Sequence, residues 1–186
     1  SKMELISRIK THLQLSKLHN SYMRFVPADF LKQINCQNID ELNLGNHLEK
    51  ELSILVSDIR NFSLFAEKLE AKTVFDILNK YLNKIVPVIR KNNGFIIRFV
   101  GDAIVAFFPD GADLAMATAI EINKITKDWK TINPVNQEVI EIDAGIGLHC
   151  GKVVLGTIGF DKRMDAAAIS HDVDKTVALE SYNKLF

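Results

Sequence analysis

Cysteine is nearly missing from this chain. Cys36 and Cys150 are the only two in 186 residues. That is too few for a disulfide framework, and it fits a reducing compartment. Net charge is missing too, because 23 Lys and Arg balance 23 Asp and Glu. A balanced chain carries no electrostatic footprint for nucleic acid or an anionic membrane. No apolar run approaches the roughly 20 residues that cross a bilayer, so no direct membrane insertion is expected. The opening segment SKMELISRIK lacks the apolar stretch and cleavage site of a secretory leader,. A cytoplasmic location is therefore the expectation. The five histidines are scattered without ligand spacing, which argues against a zinc site.

What is there is an ordinary globular composition, 47% apolar and 25% charged,, with length for one domain and a real core. Residues 1–25 read as an N-terminal signalling or linker helix. Leu5, Ile9 and Leu13 recur at steps of four, and Leu15, Leu18, Tyr22 and Phe25 at steps of three or four,. Ser1 is placed to cap this helix and Pro27 to end it. ADFLKQI (28–34) reads as a short helix, and residues 35–51 as polar loop. LSILVSD (52–58) reads as a buried strand ending in a carboxylate,. FSLFAEKLE begins a helix, and TVFDILNKYLNKIVPVIRKN is a second, with one broad apolar face,. FIIRFV and AIVAFF read as strands joined by Gly101-Asp102. Two residues with Gly first suit a type II′ hairpin. GADLAMATAIEINKITKDW reads as a helix, EVIEIDAGIGLH and KVVLGTIG as two strands, and the tail HDVDKTVALESYNKLF as a helix. This order predicts an α+β fold. Its core is ferredoxin-like, βαββαβ, a mainly antiparallel sheet with helices on one face, preceded by the N-terminal helix.

Two aspartates stand out because they interrupt apolar surroundings. Asp58 ends the first strand and Asp102 sits on the hairpin. The predicted order makes the first and second strands neighbours, so the end of the first faces the hairpin tip. Converging carboxylates repel and are costly beside a core. A divalent cation resolves that conflict: Mg²⁺ favours one or two carboxylates plus substrate phosphates, and a pair of ions serves phosphoryl transfer. The segment IRNFS (59–63) leads from Asp58 into a helix, where backbone N–H groups are ready for phosphate. The plainer alternative is that each Asp decorates a strand end or a turn.

LVSDIRNFS, FIIRFVGDAIVAFF and GIGLHCGKVVLGTIG, in that order and spacing, resemble the catalytic domain of class III adenylate/guanylate cyclases. SYMRFVPADFL resembles the lead-in helix of many bacterial members. ELISRIKTHLQLSKL (4–18) bears a short resemblance to the last helix of a response-regulator receiver domain. Residues 1–25 then form a linker, and 26–186 a cyclase homology domain that is short at its C-terminus. The resemblance implies cyclisation of ATP, or less readily GTP, to a 3′,5′-cyclic nucleotide and pyrophosphate at a head-to-tail dimer interface. It implies that Asp58, Asp102 and the Ile59 carbonyl hold two Mg²⁺ or Mn²⁺ ions. The amides of Asn61, Phe62 and Ser63 would hold the β- and γ-phosphates. Arg98 stands where adenylate cyclases often place a base-reading Lys, and its fork geometry differs from that of an ammonium. The implied partners are a second copy or an intact cyclase chain, with a receiver or other sensor domain upstream.

RMDAAAISHDVDKTVALE (163–180) departs from the family pattern. Ala167 stands at a base-reading Thr or Asp, Asp174 at a ribose-positioning Asn, and Ala178 at a transition-state Arg. Charge builds on the α-phosphate as the ring closes, and alanine offers it no cation. Asp174 adds a negative charge beside a triphosphate. Lys175 is the available substitute cation, three residues from Ala178 on a helix. The pattern implies impaired catalysis, or else a non-catalytic module that binds nucleotide or dimerises to relay a signal. A diguanylate cyclase or polymerase relative would show a GG[DE]EF-like turn, whereas this hairpin reads VGDA.

Overall fold

Alternation defines the central strand, β1 (His47–Ile59). Leu52, Ile54 and Val56 face one side, Ser53, Leu55 and Ser57 the other, and all six are buried. A strand with cores on both faces belongs in the middle of a layered structure. The computed structural model describes residues 2–22, 28–36, 41–133, 136–160 and 163–182.

Along the chain run α1 (Lys2–Tyr22), α2 (Ala28–Gln33), β1, α3 (Phe62–Ala66), α4 (Ala71–Lys91), β2 (Phe95–Val100) and β3 (Ala103–Phe108). Then follow α5 (Ala112–Thr126), β4 (Lys130–Ile132), β5 (Val139–Glu141), β6 (Ala144–Phe160), β7 (Arg163–Ile169) and α6 (His171–Tyr182). Five strands form one antiparallel sheet in the order β2-β3-β1-β6-β7, and β4 and β5 make a separate hairpin. The unit β1-α4-β2-β3-α5-β6 has the split connections of a ferredoxin-like core. The α+β expectation and the leading helix are therefore met.

One core lies beneath α4 and α5, where Ile77, Tyr81, Ile85 and Ile89 of α4 meet Leu55, Ile104, Phe108 and Ile122. Their spacing is the amphipathic stripe seen in the sequence. Each such buried side chain contributes on the order of 2 kcal/mol. A second core lies on the opposite face, where Phe30 and Leu31 of α2 cover Leu52, Ile54, Phe95, Phe107, Val153 and Leu155.

Several expectations need correction. β1 is flanked by β3 and β6, not by β2. Hairpin closure places β3 inside the sheet, between β2 and β1. β1 begins at His47, inside the expected loop, because it pairs with β6 from His47↔Gly156 to Ile59↔Ala144. The two strands expected within 138–159 are instead divided after Glu141, and β6 then runs unbroken through Cys150 and Gly151. β4 and β7 went unrecognised. Helices cover both faces of the sheet rather than one, since α6 packs on β6 over Gly145, Gly147 and Gly151, on the second-core side. Helix α1 forms as expected, but Leu5, Ile9, Leu13, Leu15 and Leu18 are each at least 50% exposed. The side chain of Tyr22, along with Ser1, Phe25 and Pro27, lies outside the described residues.

Candidate active site

The site starts from register. β1 pairs with β3 through Ser57↔Ile104, so the hairpin tip must lie beside Asp58 and Ile59. Gly101 has φ 63°, and no positive φ occurs at Asp102, as a II′ turn demands of its first residue. The turn aims Asp102 back at the strand, where its Oδ2 accepts a hydrogen bond from the Ile59 amide at 3.2 Å. The Asp58 carboxyl lies close beside it: burial first, then hydrogen bonding with Asp58 and its charge, push Asp102 up to about 7. Two carboxyl groups in such contact hold a proton or a cation between them.

The floor under the pair is neutral. Ser57 and Tyr81 share a buried hydrogen bond of 2.8 Å. Burial pushes the Tyr81 phenol above its ordinary range, helped by the charges of Asp58 and Asp102 and opposed by the Ser57 bond.

The pair opens into a cleft of about 720 Å³. Residues 58–65 and Asp102 form one wall, and the β4–β5 region supplies the other with Asn133, Glu138, Glu141 and Asp143. Among the described residues, five carboxylates line it against two cations, Arg60 and Lys68. A polyanion entering such a cleft needs a cation with it. Among the described residues no group of three or more His, Cys, Asp or Glu is placed to hold a metal. The donor set is therefore two carboxylates with nearby backbone carbonyl, which suits Mg²⁺ or Mn²⁺ completed by phosphate and water rather than a dedicated protein cage. The residues present fit such an ion.

The turn after Asp58 is built from backbone. The Ile59 side chain is 2% exposed in the first core, which leaves its main chain to the cleft. The Arg60 amide donates to the Asp143 carbonyl at 2.9 Å. Asn61 sits at φ 57° and starts α3, whose first amides have no intrahelical acceptor. The ring of Phe62 packs edge-on against Phe65 at 5.2 Å, so its side chain is committed to packing. Ser63 is exposed on the same wall.

The remaining expected residues lie away from this cleft. The register shift between Ile96 and Arg98 in β2 is a bulge, which re-aims the strand. Arg98 borders a small separate pocket with Ile97, Val105, Phe107, Ala168 and Val173. Ala167 is buried on β7. Asp174, Lys175 and Ala178 are exposed on α6. Lys175 donates to Asp172 at 2.8 Å, and it, with a weaker contribution from His149, holds the Asp172 carboxyl below its ordinary value. None of these five lines the main cleft. Asp58 to Ser63 and Asp102 thus share the main cleft, whereas Arg98, with Ala168 and Val173, borders a second, separate pocket.

Sequence reasoning missed Arg60, Lys68, Asn133 and the acidic far wall. The β4–β5 strands are three residues each, too short for a period-2 signal. Arg60 offered one cue, its place between the metal-type Asp and the turn.

The adenylate and guanylate cyclase catalytic domain matches this chain over residues 46–184. The chain belongs to that family. This cyclase domain is 33% identical over 177 residues to the adenylate cyclase of Anabaena cylindrica, covering 93% of this chain and 35% of that one. It spans about a third of that relative's length, and 8% of the terminal-differentiation-specific adenylate cyclase of Dictyostelium discoideum, to which it is 32% identical. A bacterial light-regulated adenylyl cyclase superposes with a TM-score of 0.79 at 27% identity, over 96% of this domain and 53% of that chain. The guanylyl cyclase Cya2 superposes with a TM-score of 0.63 at 30% identity, over 73% of this chain and 71% of that one. Adenylyl and guanylyl cyclases both lie among the relatives, so likeness alone does not choose the base.

Proposed function

We propose that this cyclase domain supplies the metal-and-phosphate half of a nucleotide cyclase site and depends on a partner chain for the other half. The observation that carries the reading is the contact of Asp58 with Asp102 at the head of an acidic cleft beside an open helix start. Asp58, Asp102 and the Ile59 carbonyl would hold Mg²⁺ or Mn²⁺. Such ions supply Lewis-acid stabilisation of the triphosphate and lower the pKa of the attacking hydroxyl. The chain's own residues do the rest. Asp102 stays oriented by the Ile59 amide. The amides of Asn61, Phe62 and Ser63 receive the β- and γ-phosphates, and the Phe62 ring anchors that turn to the core. The reaction joins the 3′-oxygen to the α-phosphorus, gives up the hydroxyl's proton to solvent and breaks the bond to pyrophosphate, with ATP the expected substrate over GTP.

The second half is weakened in this chain. Ala178 presents no cation and Lys175 is committed to Asp172, so a homodimer would carry two impaired sites. A chain with the Asn and Arg in place would complete one site. The remnant resembling a receiver domain and the exposed helix α1 fit a sensor upstream, and two free thiols, Cys36 and Cys150, fit a cytoplasmic setting,. The exposure of Ala178 also supports a second reading, a nucleotide-binding module without turnover.

Product formation from Mn²⁺ with ATP or GTP, alone and with an intact cyclase partner, separates the two. The enzyme reading expects turnover with the partner that disappears in Asp102→Ala. Binding without product in either setting leaves the module. Asp58→Asn is expected to abolish metal-dependent nucleotide binding with the fold intact, and unchanged affinity would place the site elsewhere.

A further inference from the structure

The two half-sites are joined inside one chain by a buried ion pair. Arg60 Nη1 donates to Glu180 Oε1 at 2.7 Å, with the side chains 16% and 3% exposed. Arg60 stands between the metal-type Asp58 and the phosphate turn, and it lines the cleft. Glu180 lies on the buried face of α6, two residues beyond Ala178 and six beyond Asp174. One bond therefore spans the turn that meets the triphosphate and the helix that carries the complementary half-site.

The sheet is shaped to admit this pair. A Cβ on Gly145 would lie 2.2 Å from both Arg60 Cζ and Glu180 Oε1. A Cβ on Gly147 would lie 2.5 Å from the Thr176 carbonyl and 2.7 Å from the Glu180 amide. A side chain at Gly147 would push the backbone of α6 off the sheet, and one at Gly145 would displace the tips of the pair itself, so the helix rests at close approach where the ion pair forms. A buried ion pair adds little net stability over an apolar pair of the same volume, and its better-attested use is to fix geometry. The Arg60 fork is rigid and directional, so displacement of the turn is felt at Glu180. The other end of α6 is held separately, by Asp172 with His149 and the Lys152 amide of β6. A helix anchored at both ends responds to movement of one anchor by tilting or tightening as a body.

We propose that Arg60 and Glu180 are a positioning pair that carries occupancy of the cleft to α6, an inference that rests on the nucleotide-binding reading above. In a head-to-tail dimer the cleft and the Asp174–Ala178 face of one chain serve different sites. The pair then couples those sites, and filling one orders the helix offered to the other.

The test uses the full chain with Mn²⁺ and α,β-methylene-ATP or α,β-methylene-GTP, which cannot release pyrophosphate. Calorimetry establishes the concentration that saturates each protein. Hydrogen exchange then reads the amides of 171–182 with and without ligand. In the wild type, saturation is expected to slow α6 exchange by about fivefold or more. In Glu180→Gln, at its own saturation, that slowing is expected to fall below half. Arg60→Met/Glu180→Met keeps packing without charge, so it decides the matter if the single variant unfolds, and its α6 is expected to ignore the ligand. A response in the double variant equal to wild type would reduce the pair to a fold-stabilising contact and overturn the proposal. So would ligand binding to wild type with no change in α6. Failure of wild type to bind either analogue would remove the functional reading itself, and the coupling with it.

Discussion

The amide of Ile59 donates to the carboxylate of Asp102 across 3.2 Å, and this bond pins a hairpin tip to the end of the central strand. It holds Asp102 close enough to Asp58 for the two carboxyl groups to share a proton. Much of the chemistry expected of this domain follows from that contact.

The pH dependence of stability is one consequence. Asp102 in the folded chain titrates at about 7 against an ordinary 3.8. Between those values the folded chain keeps a proton that the unfolded chain has released, so stability falls as pH rises through that window. The contribution is complete below the ordinary value and gone above the raised one. Without metal, the melting temperature of wild type is expected to drop more than that of Asp102→Asn from about pH 5 to about pH 8. Mn²⁺ should raise it more at the upper pH, because metal and proton compete for the same oxygens. Parallel melting curves for the two proteins would show that the pair is not coupled.

Supplying a cation and an amide on α6 tests the proposed second half-site. Asp174→Asn with Ala178→Arg is expected to raise cyclic nucleotide formation by about a hundredfold or more, the scale of a lost transition-state donor. Lys175→Ala should change the rate by less than about twofold, because its ammonium is held by Asp172 at 2.8 Å,. Chromatographic assay of product checks both. A large loss in Lys175→Ala would make that lysine the working substitute.

Beneath the acids, Ser57 and Tyr81 exchange a buried hydrogen bond of 2.8 Å. Ser57→Ala leaves the phenol buried without this partner and is expected to cost about 1–3 kcal/mol. Tyr81→Phe should cost a similar amount. The double variant should cost less than the sum of the singles, since both polar groups then disappear together. Urea unfolding of the four proteins gives the cycle, and strict additivity would mean the bond contributes nothing.

Gly147 is expected to resist even alanine. Its missing Cβ faces backbone of α6 at 2.5 and 2.7 Å, and backbone cannot swing aside as a side-chain tip does. Gly147→Ala should lower stability by about 1–3 kcal/mol and speed exchange along 171–182. Wild-type exchange in that helix would show that α6 is less tightly seated than its contacts indicate.

Local pattern determined much by itself. The 3.6-residue stripe of α4 and the apolar run of β1 named their elements, because burial on one face or both leaves a period in the sequence. Gly101-Asp102 declared the hairpin, since glycine is the default first residue of a II′ turn, which needs a positive φ, and Gly101 sits at φ 63°,. Asp58 and Asp102 could be singled out because each interrupts an apolar context. Matters that join distant segments were decided only by the tertiary structure. These are the insertion of β3 beside β1, the continuity of β6 through Cys150, the acidic wall from the β4–β5 region, and the meeting of Arg60 with Glu180. The reason is physical. A periodicity records which side of an element is buried, whereas pairing, register and the approach of a helix to a sheet depend on surfaces far apart in the chain, and no local signal encodes which of them will meet.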